Sequence, residues 1–481
     1  MMLPGGRIIT YGEVKSQSAR CANLLVSFGA RPGDRIAAQV EKSPEAIFLY
    51  LGSLRAGCVF LPMNPAYQES EVRHLLRDAE PHLFVLRPGA QHLRELAAEA
   101  GVPHVIELED DGSGELADRL AAQSPNFETA SRTNDDLAAI LYTSGTTGRA
   151  KGAMLTHRNL TVGVAVLHKA WGFVPADVLL HILPIYHFHG LFVAVHCALW
   201  NGSPILFEPK FDARRVIELL PQSSVCMGVP THYVRLLAEP GLDPSVCRSM
   251  RIFVSGSAPL LPDTFNAFHE RTGHTILERY GMTEGGMFAS NPYDRERRCG
   301  TVGPALAGVS LRVVDDAGLP ASPGTTGNIE VRGDNVFAGY WRLPEKTAEE
   351  HTLDGFFKTG DLGQLSEDGY LTIVGRSKDL IISGGLNVYP KEIEEEIDSM
   401  PGVQESAVIG VKHPDFGEAV TAIIVRGPGP QILAEDVIRF VKARLARFKV
   451  PKNVHFVDEL PRNAMGKVQK ALLRERFGAG A

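Results

Sequence analysis

Residues 142–152 read YTSGTTGRAKG. Hydroxyl side chains stand at Tyr142, Thr143, Ser144, Thr146 and Thr147, glycines at Gly145, Gly148 and Gly152, and a lysine at Lys151. Glycines let the backbone approach a ligand closely. Successive backbone N–H groups then form an anion-binding concavity, to which hydroxyls and a lysine add donors. The apolar run DLAAILY (136–142) ahead of the loop reads as a buried strand. The stretch GAMLTHRNLTVGVAVL (152–167) behind it leads into a helix capped by Thr156. Strand, Gly/Thr loop and helix together describe a phosphate site. The common nucleotide loop, GxxxxGK[ST], is a different pattern, since here Ala150 precedes the lysine and Gly152 follows it.

The rest of the chain bounds what such a site can serve. A length of 481 residues suits about two to three domains. With 44% hydrophobic and 22% charged residues the composition is that of an ordinary globular enzyme. A net charge of −7 argues against nucleic acid as the main partner. The start, MMLPGGRIIT, lacks the apolar stretch of a signal peptide. The apolar region near 180–200 is interrupted by histidines and Pro184, which argues against a membrane span. Six cysteines without metal spacing fit reduced thiols and a cytoplasmic setting.

Through about residue 375, strand-like runs such as RIAAQV and SPILFE alternate with helical stretches such as EAIFLYLGSLRA and ARRVIELL. That alternation implies layered parallel sheets covered by helices. Beyond GYLTIVGRSKDLI the pattern changes: a loop SGGLNVYP, a helix KEIEEEIDSM, strands SAVIGV and AVTAIIV, and a helix AEDVIRFVKARLARF with Ile438, Val441 and Leu445 on one face. The expectation is an α/β N-terminal domain over 1–376, with a small β-rich subdomain, and a small mobile α+β domain over 377–481. Between Arg439 and Arg476, eleven Lys/Arg stand against three acids. Such an excess either attracts a polyanion or is a solvated helix face.

Six further segments carry polar chemistry: LPIYHFHG (183–190), VSGSAPLL (254–261), ERYGMTE (278–284), KTGDLG (358–363), GRSKDLIISGGLNVYPKEIE (375–394) and LPRNAMGK (460–467). With the opening loop, they resemble the ordered core motifs of the adenylate-forming superfamily of acyl-CoA synthetases, peptide-synthetase adenylation domains and beetle luciferases. Within it the chain is most similar to the malonyl-CoA synthetase branch. It departs from that branch at Gly285-Gly286, where a bulkier polar pair is expected, at Ala150, where proline is usual, and in a shorter stretch ahead of TYGEV (10–14).

The resemblance implies two half-reactions. A carboxylate attacks the α-phosphorus of ATP, giving acyl-AMP and pyrophosphate; the thiol of CoA then takes the acyl group and releases AMP. Charge develops in both, so electrostatic stabilisation is the main catalytic need. The residues at 143–148 (Thr143, Ser144, Gly145, Thr146, Thr147, Gly148) and Lys151 are implied to hold the β- and γ-phosphates. Glu284 is implied as a Mg²⁺ ligand and Thr283 as an α-phosphate contact. Gly256, Ser257, Ala258, Tyr280, Gly281 and Met282 would form the adenine slot. Asp361, assisted by Arg376, would accept from the ribose hydroxyls. Lys467 would bridge the attacking carboxylate and the α-phosphate, and Lys378 would be the hinge of a domain rotation. Gly384 and Gly385 would face the CoA tunnel. The resemblance also admits a lysine acetyltransferase or deacetylase acting on Lys467, since acylation removes its charge.

Arg279, just before the tyrosine of ERYGMTE, points to the acid. An arginine in an acyl pocket is costly unless an anion pairs with it, and its planar fork matches a second carboxylate. Arg235 on the helix THYVRLL is either a second clamp or a surface residue, and His187 would line the pocket. Malonate, with methylmalonate second, is therefore the expected substrate. The alternatives are another small or aromatic acid, or an acid loaded onto a carrier protein. For an amino acid, no Asp or Glu stands in 183–198 to meet an ammonium.

Overall fold

The computed structural model describes residues 1–143, 150–383, 386–413, 417–463 and 466–478. Three sheets build the large N-terminal domain. The first contains β1 (Arg35–Gln39), β2 (Val59–Pro62), β3 (Leu83–Leu86), β4 (His104–Glu107), β5 (Leu137–Thr143) and β6 (Lys151–Thr156), in the order β4-β3-β1-β2-β5-β6. All pairings are parallel except β5 with β6. The second contains β7 (Leu179–His181), β8 (Ile205–Phe207), β9 (Val225–Gly228), β10 (Ile252–Ser255), β11 (Leu277–Met282) and β12 (Gly286–Ser290), in the order β12-β11-β10-β9-β7-β8. Only its β11–β12 pair is antiparallel. The expected β-rich subdomain is an antiparallel sheet of β13 (Ser310–Val314), β14 (Gly327–Arg332), β15 (Phe357–Leu365) and β16 (Leu371–Arg376). One buried core runs through all three sheets, from Ile36 and Leu141 through Val254 and Phe288 to Ile329 and Leu371.

The small C-terminal domain has its own sheet. It comprises β17 (Ile381–Ser383), β18 (Leu386–Val388), β19 (Val403–His413), β20 (Gly417–Arg426) and β21 (Asn453–Val457). Its two faces bury separate clusters, Ile393 and Val437 on one side and Ile409 and Leu473 on the other. Among the described residues, no buried cluster mixes these with residues before Ile381.

One sequence reading needs an addition and another a correction. The helix behind the opening loop, His157–Ala170, starts after Thr156 as expected, but ahead of it Lys151–Thr156 returns antiparallel beside β5 as a further strand. Thr156 does cap that helix, in a capping box with Asn159. The basic C-terminal stretch is largely neutralised. Arg444, Lys449 and Lys470 pair with Glu396, Glu392 and Glu394 of the helix Pro390–Asp398, while Arg462 pairs with Glu405 and Arg474 with Asp379. The excess counted along the chain is thus mostly internal ion pairing, with little left to draw a polyanion.

Candidate active site

The site lies where the exits of the first two sheets meet the third. β5 ends at Thr143 and β6 begins at Lys151, so the opening loop is held between two antiparallel strands. Ser144, Gly145, Thr146, Thr147 and Gly148 lie outside the described residues. Thr143 Oγ1 donates to Glu284 Oε1 at 3.3 Å, which joins this loop to the turn after β11. Glu284 is buried, and desolvation raises its carboxyl pKa. Its side-chain partners among the described residues are hydroxyls, from Thr143 and from Tyr340 at 3.2 Å. A buried carboxylate with no cationic side chain bonded to it among the described residues is a good seat for a hard cation such as Mg²⁺. Lys151 Nζ pairs with Glu350 at 3.1 Å and sits 4.0 Å over the Tyr340 ring.

On the nucleoside side, Tyr280 is buried and donates to Asp361 Oδ2 at 2.6 Å, while Arg376 Nε pairs with Asp361 Oδ1 at 3.1 Å. Gly256, Ser257 and Ala258 follow β10 directly. Ser257 has φ of 71°, a left-handed backbone that costs a non-glycine residue on the order of 1 kcal/mol or more. Its hydroxyl lies 3.5 Å from His189 Nδ1. Gly281 and Met282 sit at the irregular end of the β11–β12 pair, whose register shifts between Tyr280 and Gly281. Thr283 is half-buried in the turn that follows.

Arg279 stands on β11 with 4% of its surface exposed. Its Nε and Nη2 are buried with no hydrogen-bond partner among the described residues. Desolvation by burial lowers its pKa to about 9. Glycine at 256 leaves room for its guanidinium: a Cβ there would meet Arg279 Cζ at 2.4 Å. Around it stand histidines kept neutral by desolvation, His187 with its pKa lowered to about 3 and His189 with its pKa lowered well below the ordinary histidine value. His189 Nε2 is buried without a partner as well. His187 is half-buried, within electrostatic reach of Arg279 and Lys467. Arg235, by contrast, is exposed on the last turn of the helix Pro230–Ala238, which favours the surface reading for it. The glycine pair after Glu284 also has a physical reason. A Cβ on Gly285 would meet the Phe288 ring at 2.3 Å, and one on Gly286 would meet Phe188 at 3.0 Å.

The small domain closes over this arrangement. Gly466 approaches Thr231 at the start of the helix Pro230–Ala238. Lys467 is half-buried, and desolvation, then Arg376, lower its pKa to about 8 while Asp361 and Glu284 pull it upward. Its loop is braced on both flanks, by Arg462 on Glu405 and Lys470 on Glu394. Lys378 lies exposed in the short 3₁₀ turn Ser377–Asp379 that links the domains, with its pKa lowered by desolvation. Gly384 and Gly385 lie outside the described residues.

Residues 2–341 match the family model described as AMP-binding enzyme, and residues 392–467 match that of the AMP-binding enzyme C-terminal domain. The chain belongs to the AMP-binding enzyme family. This AMP-binding enzyme is 35% identical to a malonate–CoA ligase of Arabidopsis thaliana, over 98% of this chain and 85% of that protein. It is equally 35% identical to a feruloyl-CoA synthase of an Amycolatopsis species, over 98% and 95%. Crystal structures of MatB from Rhodopseudomonas palustris are 53% identical, covering 99% of this chain and 95% of that one. The TM-score is 0.97 for the ATP-bound form and 0.84 for the apo form. The enzyme's two domains are therefore arranged as in the nucleotide-bound relative, which accords with Lys467 lying within electrostatic reach of Asp361 and Glu284.

Sequence reasoning missed Tyr340, Glu350 and the link from His189 to Ser257. The stretch NVFAGYWRLPEKTAEE (335–350) that holds the first two has no glycine-rich loop, and its charges read as an ordinary helix face.

Proposed function

We propose that this enzyme is a malonate–CoA ligase, which activates malonate as malonyl-AMP with release of pyrophosphate and then transfers the malonyl group to CoA with release of AMP. Methylmalonate is the second acid that fits. The observation that carries the reading is Arg279, a buried cation whose Nε and Nη2 have no partner among the described residues. A second carboxylate would satisfy both, bidentately. A methyl-terminated acid would leave them unpaired, and such sites discriminate by on the order of 10⁴. Similarity to a malonate–CoA ligase supports this choice; equal identity to a feruloyl-CoA synthase means the acid rests on the pocket and not on overall likeness.

Thr143 and Lys151 would hold the outer phosphates, and Tyr280, Gly256, Ser257, Ala258, Gly281 and Met282 the adenine. Asp361, oriented by Tyr280 and Arg376, would accept from the ribose hydroxyls. Glu284 would hold Mg²⁺, which supplies charge neutralisation on the phosphates when bound. Thr283 would contact the α-phosphate and Lys467 would stabilise the charge that builds as the carboxylate attacks it. Release of pyrophosphate would free the small domain to rotate about Lys378, withdrawing Lys467 and opening the thiol path past Gly384 and Gly385. Separate cores on either side of residues 372–380 support a boundary at 376/377. Among the described residues no helix is long and apolar enough to cross a membrane. A cytoplasmic site of action, and acetylation of Lys467 as a control, belong to the same proposal.

ATP–pyrophosphate exchange with malonate, methylmalonate, propionate and ferulate tests the reading. Malonate-dependent exchange at least about a thousandfold above propionate is expected. Exchange driven better by ferulate or propionate would replace it with one of the alternatives.

A further inference from the structure

Between the loop lysine and the buried carboxylate runs a segment with no assigned part in the chemistry. Its backbone is stitched to both. Met154 N donates to Gly339 O at 2.9 Å and Trp341 N to Gly152 O at 2.7 Å, which seats residues 339–341 against β6 beside Lys151. Phe337 N donates to Glu284 O at 2.8 Å, and Asn335 Nδ2 to Gly285 O at 2.6 Å, which fixes the turn carrying Glu284. At the junction is Tyr340, 3% exposed. Its hydroxyl lies 2.8 Å from Glu350 Oε2 and 3.2 Å from Glu284 Oε1, and its ring lies beneath the Lys151 ammonium. Glu350 closes the circuit by pairing with Lys151.

We infer that Tyr340 and Glu350 are positioning residues for the adenylation half-reaction, locking the direction of the loop lysine to that of the metal-site carboxylate. This rests on the proposed phosphate role of Lys151 and metal role of Glu284. A lysine on a flexible stem loses much rotamer freedom when held; here the ring and Glu350 hold it before the triphosphate arrives. A phenol has one hydrogen to donate, so the hydroxyl serves one carboxylate at a time. With a cation on Glu284 that hydrogen goes to Glu350.

The test uses Tyr340→Phe, which keeps the ring under Lys151 and removes only the hydroxyl, and Glu350→Gln at a half-exposed position as a second variant. Calorimetric titration with α,β-methylene-ATP and Mg²⁺ should show affinity weakened about tenfold in each, with AMP affinity unchanged. Adenylation kcat should fall about ten- to a hundredfold, while conversion of supplied malonyl-AMP to the thioester keeps its wild-type rate. Wild-type affinity for the analogue in both variants would overturn the inference. So would equal losses for the analogue and AMP, or for both half-reactions, because a purely structural role predicts those. The titration contains no acid, so a preference for an acid other than malonate would overturn the functional reading and leave this one standing.

Discussion

The two ends of the site are prepared in opposite ways. At the phosphate end, among the described residues, Lys151 is answered by Glu350, Glu350 also by Lys346, Asp361 by Arg376, and Glu284 by the hydroxyls of Thr143 and Tyr340. At the acid end Arg279 is buried with two donors unanswered, amid histidines that desolvation keeps neutral. A paired set of charges costs little to hold and is rigid before ligand arrives, which suits a site that must accept the same nucleotide every turnover. An unpaired buried charge is destabilising, and its cost is recovered only by a ligand of opposite charge. The first arrangement serves rate and the second serves choice.

One large effect that would break this contrast is at Lys467, the cation the small domain brings to the junction of the two ends. Lys467→Ala should lower adenylation by on the order of 10²–10³, leaving thioester formation from supplied malonyl-AMP intact. Parallel loss in both halves, measured as separate single turnovers, would remove Lys467 from its assigned place. Acidity probes the same residue more gently. Its pKa is depressed to about 8, so it carries charge below that value and loses it above. Adenylation kcat/KM for ATP should therefore fall about tenfold per pH unit as pH rises beyond about 8, whereas Lys467→Arg, charged throughout, should show no such limb.

The acid end can be sharpened through its shape. Gly286 has φ of 64° and faces Phe188, so Gly286→Ala introduces both backbone strain and a contact at 3.0 Å. A several-fold rise in KM for malonate is expected, with KM for ATP unchanged. Phe188→Val in the same chain should recover part of it by making room. The smallest effect is on stability. Arg279→Met should stabilise the unliganded protein by about 1–3 kcal/mol in urea unfolding, because two buried unpaired donors are removed. Glu284→Leu, which strands the hydroxyls of Thr143 and Tyr340, should not stabilise it comparably.

How much of this was legible in the residues differs between the same two ends. Lys151, Glu284, Asp361 and Lys467 could be singled out because each lies in a short motif of fixed order. Arg279 stood out because its position within ERYGMTE is one where a cation demands a reason. Tyr340 and Glu350 could not be read, since their roles arise from a segment crossing from β6 to the β11–β12 turn, a tertiary contact with no local period. The strand Lys151–Thr156, just ahead of the helix that Thr156 caps, could not be read because six residues with two glycine- or alanine-sized positions show little alternation. The basic tail looked unbalanced because its counter-charges lie in Glu392, Glu394, Glu396 and Glu405, upstream of the window counted. Arg235 was held equally as clamp and surface residue; its exposure favours the surface.

Arg279 bears the central claim, and one exchange assay addresses it. Wild-type enzyme and Arg279→Leu are given ATP, labelled pyrophosphate and either malonate or propionate, two acids of equal chain length that differ in the terminal group. Malonate-dependent exchange should collapse by about a thousandfold or more in the variant, with propionate unchanged or improved and ATP affinity intact. Undiminished malonate exchange in Arg279→Leu would contradict it.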